Sequence, residues 1–396
     1  MAFAGLRGTG DWGQDERPKS FREAILWANP NGSAPLFALM GKAKSQKVTD
    51  PEHSWWDEKL TGIRVKVNNA AGYIATDNTL TITADGLRLV PGDVLQVEKT
   101  EDVGYTNEFV EVSSVTSDTV IVVKRGVAGT AGAALAQGTF MTKLGSSFEE
   151  GSGGPEKTTR NPIKLFNYAE IFKTAVGLTN TAEVTDTRTG DPWKNDKKRR
   201  SFDHSVDIEM AMLYGRPYET TGPKGKPKRY MGGLRYFLNT NVTIFSSTPT
   251  EDTFLDAVYR VFDFNKDSGA GDERLVLAGN GFLNNLNKLA RNSPSTRINF
   301  DKKITLYGMN LQQWVLPQGV LGIKTHPLMN LHSRYTNSAF IIDPTNLVYR
   351  PLRDTKFKDN TQANDVDAHE AQWLTECTFE VHHEYTMGYI SNFVLP

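Results

Sequence analysis

The stretch Asp191 to Gly215, DPWKNDKKRRSFDHSVDIEMAMLYG, carries the clearest helix signal in the chain and decides how the rest is read. Asp191 is a good N-cap, and Pro192 suits the first helical position, where its missing N–H has no intrahelical partner to lose. Phe202, Val206, Met210 and Leu213 recur at helical spacing and predict the buried stripe; Gly215 followed by Pro217 stops the helix. At 1.5 Å per residue, a helix over 192–214 is a rod roughly 34 Å long. Lys197, Lys198, Arg199 and Arg200 fall in its early turns, where the helix dipole disfavours positive charge, and Asp196 offsets only part of this. Such a cluster suits an anionic partner, protein or DNA, or else a solvated charged face.

Upstream of the helix, Thr158 to Val176 reads as extended chain. Before it, Gly145-Ser146-Ser147 and Gly151-Ser152-Gly153-Gly154-Pro155 have flexible-linker composition, with Phe148-Glu149-Glu150 between them. From Ile63 to Leu144 the texture is period two: Leu80 to Thr83, Val94 to Val97, Phe109 to Val112, Thr119 to Val123 and Thr139 to Met141, separated by turns such as Pro91-Gly92-Asp93 and Ser117-Asp118. This spacing predicts a small all-β barrel or sandwich, inserted in the surrounding chain. The first ten residues are Gly-rich and lead into a charged stretch from Asp11 to Lys19. Ser20 and Glu23 stand in capping-box spacing, predicting a short helix over Phe21 to Ala28 that Asn29-Pro30 ends; a second turn, Leu36 to Met40, is opened by Pro35 and closed by Gly41. Short helices joined by breakers, too thin to make a core, predict an arm that packs on something else.

Downstream, Thr253 to Phe262 is a predicted helix with Phe254, Leu255, Val258 and Val261 on its apolar side. Leu275 to Leu277 is a buried strand, and Gly279-Asn280-Gly281 turns into a helix from Phe282 to Ala290. Strands are expected at Ile304 to Leu306, Trp314 to Leu316, Phe340 to Ile342, Phe379 to Val381 and Tyr385 to Ile390. The class is α+β, with no repeat of solenoid period.

With 396 residues, two or three units of domain size are available, each able to bury a core. Lys and Arg total 45 against 46 for Asp and Glu, a formal net charge of -1, so a chain-wide electrostatic grip on nucleic acid is not expected and any DNA contact should be local. Cys377, the one cysteine, allows no intrachain disulfide and no metal-binding spacing, and reads as a buried structural thiol suited to a reducing cytoplasm. The start, MAFAGLRG, breaks into glycines and charges before any signal-peptide length of apolar residues, and no segment reaches the ~20 apolar residues of a membrane span. A soluble protein without membrane contact is the expectation.

Motifs of chemistry fall short of their requirements. Asp263-x-Asn265-x-Asp267 follows a helix as a calcium loop would, but its sixth position is Ser268 rather than glycine and its twelfth is Arg274 rather than a carboxylate. His382 and His383 are adjacent in an expected strand, where neighbours face opposite ways. Asp365, Asp367, His369 and Glu370 cluster without ligand spacing and read as a solvated loop. Gly5, Gly8 and Gly10 lack the strand and helix of a phosphate cradle, and no G-x-S-x-G elbow occurs. The densest basic patch is Pro223-Lys224-Gly225-Lys226-Pro227-Lys228-Arg229, with Tyr230 and Tyr236 nearby; exposed turn chemistry explains it better than a nucleic-acid contact does. No catalytic, cofactor-binding or metal-binding residue is expected, and no cofactor.

Five stretches taken together resemble the major head proteins of tailed bacteriophages with the Hong Kong 97 type of capsid fold: Thr119 to Ala134 (TVIVVKRGVAGTAGAA), Phe148 to Gly151 (FEEG), Phe166 to Thr181 (FNYAEIFKTAVGLTNT), Thr189 to Lys197 (TGDPWKNDK) and Phe202 to Arg216 (FDHSVDIEMAMLYGR). The resemblance implies an N-terminal arm (1–50), an extended loop (51–62 and 145–176) holding the inserted β domain (63–144), a peripheral domain (177–239 and 325–396) with the 192–214 helix as its spine, and an axial domain (240–324). It implies a non-enzymatic shell subunit that self-assembles into hexamers and pentamers, forming an icosahedral head around double-stranded DNA. Portal, scaffold and decoration proteins are the implied partners, with synthesis in the bacterial cytoplasm and residence in the virion. The lysine–asparagine crosslink of some relatives has no matching pair here, and a start at Met1 without a long helical propeptide points to a separate scaffold. Two other readings compete. One is an encapsulin-like compartment shell, which shares the fold. The other is a carbohydrate-binding phage accessory protein using Trp55 and Trp56 as a platform, although adjacent tryptophans in a strand face opposite ways and no pair of catalytic carboxylates stands out.

Overall fold

The computed structural model describes residue 36 and residues 45–98, 106–187, 189–264, 273–292, 298–306 and 309–395. The expected helix at 21–28, the turn at 36–40 apart from Leu36, and most of the 263–268 loop lie outside these residues. The chain divides into two compact units, one of residues 56–163 and one of everything before and after.

The chain leaves through β1 (Glu52–Asp57). Six strands then follow, β2 (Arg64–Lys66), β3 (Thr79–Thr81), β4 (Asp93–Val97), β5 (Phe109–Ser117), β6 (Val120–Val127) and β7 (Phe140–Ser146), paired antiparallel in the order β2-β7-β4-β5-β6-β3. Period-two alternation explains the sheet: Leu95 and Val97, Val110 and Val112, Ile121 and Val123 turn to one face and make the unit's own core. The turn before β4 needs its glycine, since Gly92 has φ +94° and a Cβ there would meet the Phe148 ring at 2.6 Å. The chain returns through β8 (Ile163–Tyr168), which pairs with β1.

The second unit continues with β9 (Glu170–Thr179), α1 (Asn180–Val184), α2 (Pro192–Tyr214), the hairpin β10 (Tyr218–Thr221) and β11 (Pro227–Tyr230), α3 (Leu234–Phe237), β12 (Val242–Ile244), α4 (Glu251–Val258), β13 (Glu273–Ala278) and α5 (Asn280–Asn292). It ends with β14 (Ile298–Leu306), β15 (Met309–Leu316), β16 (Gly319–Thr325), β17 (Ala339–Ile342), β18 (Leu347–Lys358), β19 (Ala368–Val381) and β20 (Gly388–Ser391). Two sheets organise it: β18-β19-β9, on which α2 packs, and the mixed seven-stranded β12-β20-β17-β13-β16-β15-β14. Strands β17 and β20, which belong to the 325–396 stretch expected to be peripheral, pair in the same sheet as the strands of 240–324.

Helix α2 begins and ends where predicted: the Asp191 carboxylate accepts the Lys194 N–H at 3.2 Å, and the Gly215 N–H donates to Ala211. Its buried side meets the expected one only at Leu213. His204, Ile208, Glu209, Met212 and Leu213 are buried, whereas Phe202, Val206 and Met210 are only half-buried. Two i, i+4 ladders compete on this helix, and apolar spacing favours the wrong one because the winning ladder contains a histidine. His204 turns inward because both ring nitrogens find partners, Thr174 Oγ1 at 3.0 Å on β9 and Thr375 Oγ1 at 2.8 Å on β19.

Three smaller expectations also change. Strand β19 ends at Val381, so His382 and His383 lie beyond it, and His383 adopts a left-handed φ of 51°. His369 and Glu370 belong to β19 rather than to a loop. The segment 385–390 splits into a 3-10 turn over Glu384–Thr386 and strand β20.

Candidate functional site

Strand β1 is tied down where the chain departs for the 56–163 unit. Alternation along β1 buries Trp55 (6% exposed) and leaves Trp56 out (62%), so the two indoles cannot form one stacking platform. Trp55 Nε1 donates to the Val381 carbonyl at 3.1 Å, and its ring packs between those of Phe237 and His382. Next to it, the Glu380 carboxylate on β19 accepts from three side chains: His53 of β1, Arg350 Nε of β18 at 2.6 Å and His382 Nε2 at 2.8 Å. Burial works against the Glu380 charge, but the three donors outweigh it and hold the carboxyl down to about 2. The node is a charged anchor joining segments more than three hundred residues apart in sequence.

Beyond the node, the face of β18-β19-β9 turned away from α2 is open. Across it the register aligns Lys173 of β9, Leu374 of β19 and Lys356 of β18, with Arg353 opposite Glu376 and Lys358 opposite Gln372. Leu374 is buried under this row while Lys173, Arg353, Lys356 and Lys358 are exposed, and Lys47, Lys356 and Lys358 rim a cleft of about 240 Å³. Arg353 spends its charge on Glu376. The described residues of this face make it a mainly basic surface.

The residues singled out from sequence are dispersed. Two of the early-turn cations of α2 pair with local carboxylates, Arg199 with Asp196 at 2.8 Å and Arg200 with Asp203 at 3.3 Å, while Lys197 Nζ stands 3.8 Å over the Phe357 ring. His369 stacks on Trp193 at 3.9 Å and meets Asp359 at 2.8 Å, which lowers the Asp359 carboxyl; Asp367 accepts from Asn180, and Asp365 is exposed. His383 Nδ1 meets Tyr385 Oη at 2.8 Å. Arg274 is buried, donating to the Thr386 and Phe264 carbonyls at 3.2 Å, and serves β13 rather than a calcium loop. The basic loop is the turn of the β10–β11 hairpin, with Lys228 Nζ 4.9 Å from the Tyr230 ring. Burial pushes the Cys377 thiol up to about 12, which leaves it protonated and unreactive. Among the described residues no group of three or more His, Cys, Asp or Glu side chains is arranged to hold a metal, and no helix is long and apolar enough to cross a membrane.

What these elements offer is anchoring and surface, and comparison with known proteins says to what end. The family model of the SU10 major capsid protein matches residues 6–393, nearly the whole chain. The chain belongs to the SU10 major capsid protein family. Over 369 residues it is 26% identical to the major capsid protein of Pseudomonas phage PaMx41, covering 91% of this chain and 85% of that one. Among solved structures it is similar to the capsid of an empty GTA particle (8% identity, 95% of each chain, TM-score 0.47). It is also similar to the holo-SrpI encapsulin complex of Synechococcus elongatus PCC 7942 (10% identity, 60% of this chain and 77% of that one, TM-score 0.41). The capsid subunit is α+β, as expected from its sequence. A residue of a virion shell acts through the contacts it makes, so the Glu380 node and the basic sheet face are the features to weigh. Sequence reasoning missed the node because its members are two histidines, an arginine and a glutamate scattered between residues 53 and 382 with no shared spacing.

Proposed function

We propose that this capsid protein assembles into hexameric and pentameric capsomers that close an icosahedral head around the double-stranded DNA of a tailed phage, on the Hong Kong 97 plan. The observation that carries the reading is the near full-length relationship to phage major capsid proteins. In this reading residues 1–50 are an arm, β1 and β8 begin the two sides of the extended loop, the six-stranded unit is its insertion, and α2 is the spine. Exposed apolar side chains at Trp56, Leu60, Ile163 and Ile171, which a monomer would rather bury, become contact residues between subunits. Catalysis plays no part. Portal, scaffold and decoration proteins are partners, synthesis is in the host cytoplasm, and packaged DNA is touched locally rather than gripped, given the balanced charge.

Electron microscopy of the expressed chain, alone and with its neighbouring scaffold gene, tests this. Shells, tubes or capsomers are the expected result. Monomers under every condition would overturn it, and closed shells that exclude DNA but enclose an enzyme would reassign the protein to a compartment shell.

A further inference from the structure

Thr174 of β9 and Thr375 of β19 point at His204 of α2, so their neighbours along each strand point the other way. On that side the register makes three cross-strand rows: Ile171, Glu376 and Arg353; Lys173, Leu374 and Lys356; Ala175, Gln372 and Lys358. Adjacent strands lie ~4.8 Å apart and alternate residues of one strand ~6.8 Å apart, so the rows cover a patch about 10 Å by about 14 Å. Lys47 joins them at the sheet edge, where the N–H groups of Gln46 and Val48 donate to the Tyr349 and Pro351 carbonyls of β18 at 3.1 Å. Arg353 is paired with Glu376, but among the described residues no carboxylate pairs with Lys47, Lys173, Lys356 or Lys358.

These lysines surround apolar surface: Leu374 is buried between Lys173 and Lys356, and Ile171 is 48% exposed. Two exposed acids interrupt the positive charge, Asp354 on the cleft and Glu370 opposite Gly177. A DNA duplex would bring phosphate charge to such a surface but nothing for its apolar groups, and the two carboxylates would repel it. An apolar centre within a charged rim is instead the anatomy of a protein interface. The charge balance points to which protein: with 45 basic and 46 acidic residues, a positive excess on one face is matched by an acidic excess elsewhere on the same chain. We propose that this face is an interface with a second copy of the chain, its four unpaired lysines taking exposed carboxylates of that copy around Ile171 and Leu374. The interface rests on the capsid reading and adds to it the surface on which one subunit receives another. Because the lysines are exposed, their attraction is screened by salt and acts on association rather than on the stability of the subunit.

The test assembles particles from an equal mixture of heavy-isotope-labelled and unlabelled full-length chain, joins lysines to touching carboxylates with a carbodiimide, and reads the crosslinked peptides by mass spectrometry. Mixed-isotope peptides carrying Lys173, Lys356 or Lys358 are the expected product. Crosslinks from these lysines confined to single-isotope peptides would place the occupant in the same chain and overturn the proposal, as would their absence. Lys356→Glu with Lys358→Glu provides the second arm. The unassembled variant should melt like wild type while the yield of particles seen by electron microscopy falls about tenfold or more, and Lys356→Arg with Lys358→Arg should assemble normally. A wild-type yield from the charge-reversed variant would overturn the interface. If that variant assembled normally but bound a duplex oligonucleotide about tenfold more weakly by fluorescence anisotropy, the face would belong to DNA instead. A wild-type chain that forms no particle under any condition would fail the capsid reading first, and this interface with it.

Discussion

Arg125 and Glu108 form a bidentate ion pair inside the 56–163 unit, Nε to Oε1 at 2.6 Å and Nη2 to Oε2 at 2.7 Å, with almost no exposure on either side. Glu108 also accepts the N–H groups of Gly126 at 3.1 Å and Ala133 at 2.9 Å, and Arg125 Nη1 donates to the carbonyls of Ile74 and Asp77. Thus one carboxylate just ahead of β5 ties Arg125 and Gly126 of β6 to Ala133 in the loop that follows it. Glu108→Ala leaves the guanidinium and two peptide groups without their acceptor, and should cost the unit about 3 kcal/mol or more, measured by urea unfolding.

The 56–163 unit owns its core, so the segment expressed alone should fold cooperatively. Circular dichroism and a thermal melt check this. A disordered spectrum would mean that its strands depend on the rest of the chain.

On α2 the corrected burial reverses a natural mutational guess. Ile208→Ala should cost about 2–4 kcal/mol because Ile208 is fully enclosed, while Val206→Ala, half-exposed, should cost under about 1 kcal/mol. Denaturant midpoints of the two variants rank the ladders directly.

The Glu380 node makes an acid-sensitive contribution. Its folded carboxyl is held down at about 2, below the ordinary glutamate value of 4.5 that applies in the unfolded chain. The unfolded state therefore takes up the proton first, and the stabilisation present above 4.5 is lost as pH falls from there through about 2. Glu380→Gln should flatten this part of the stability profile, followed by Trp fluorescence against pH. An acid transition identical to wild type would remove the node from the account.

The two tryptophans of β1 should behave oppositely. Trp55→Ala empties a packed site and removes the hydrogen bond to Val381, costing about 3–5 kcal/mol in subunit unfolding. Trp56→Ala should leave unfolding within about 0.5 kcal/mol and instead reduce the yield of assembled particles seen by electron microscopy.

Local rules made part of this protein legible from its sequence. The cap at Asp191, the stop at Gly215, the turn at Gly92 and the alternation of the 63–144 strands depend on neighbours a few residues away, and those interactions are written in order along the chain. The capsid resemblance was legible for the same reason, as short ordered stretches. Only the tertiary structure decided which ladder of α2 turns inward, because that choice depends on Thr174 and Thr375 arriving from two strands to satisfy His204. It also decided that β17 and β20 join the seven-stranded sheet, and that His53, Arg350 and His382 converge on Glu380. Burying a polar group is favourable only when its partner is present, and a partner hundreds of residues away leaves no period in the sequence.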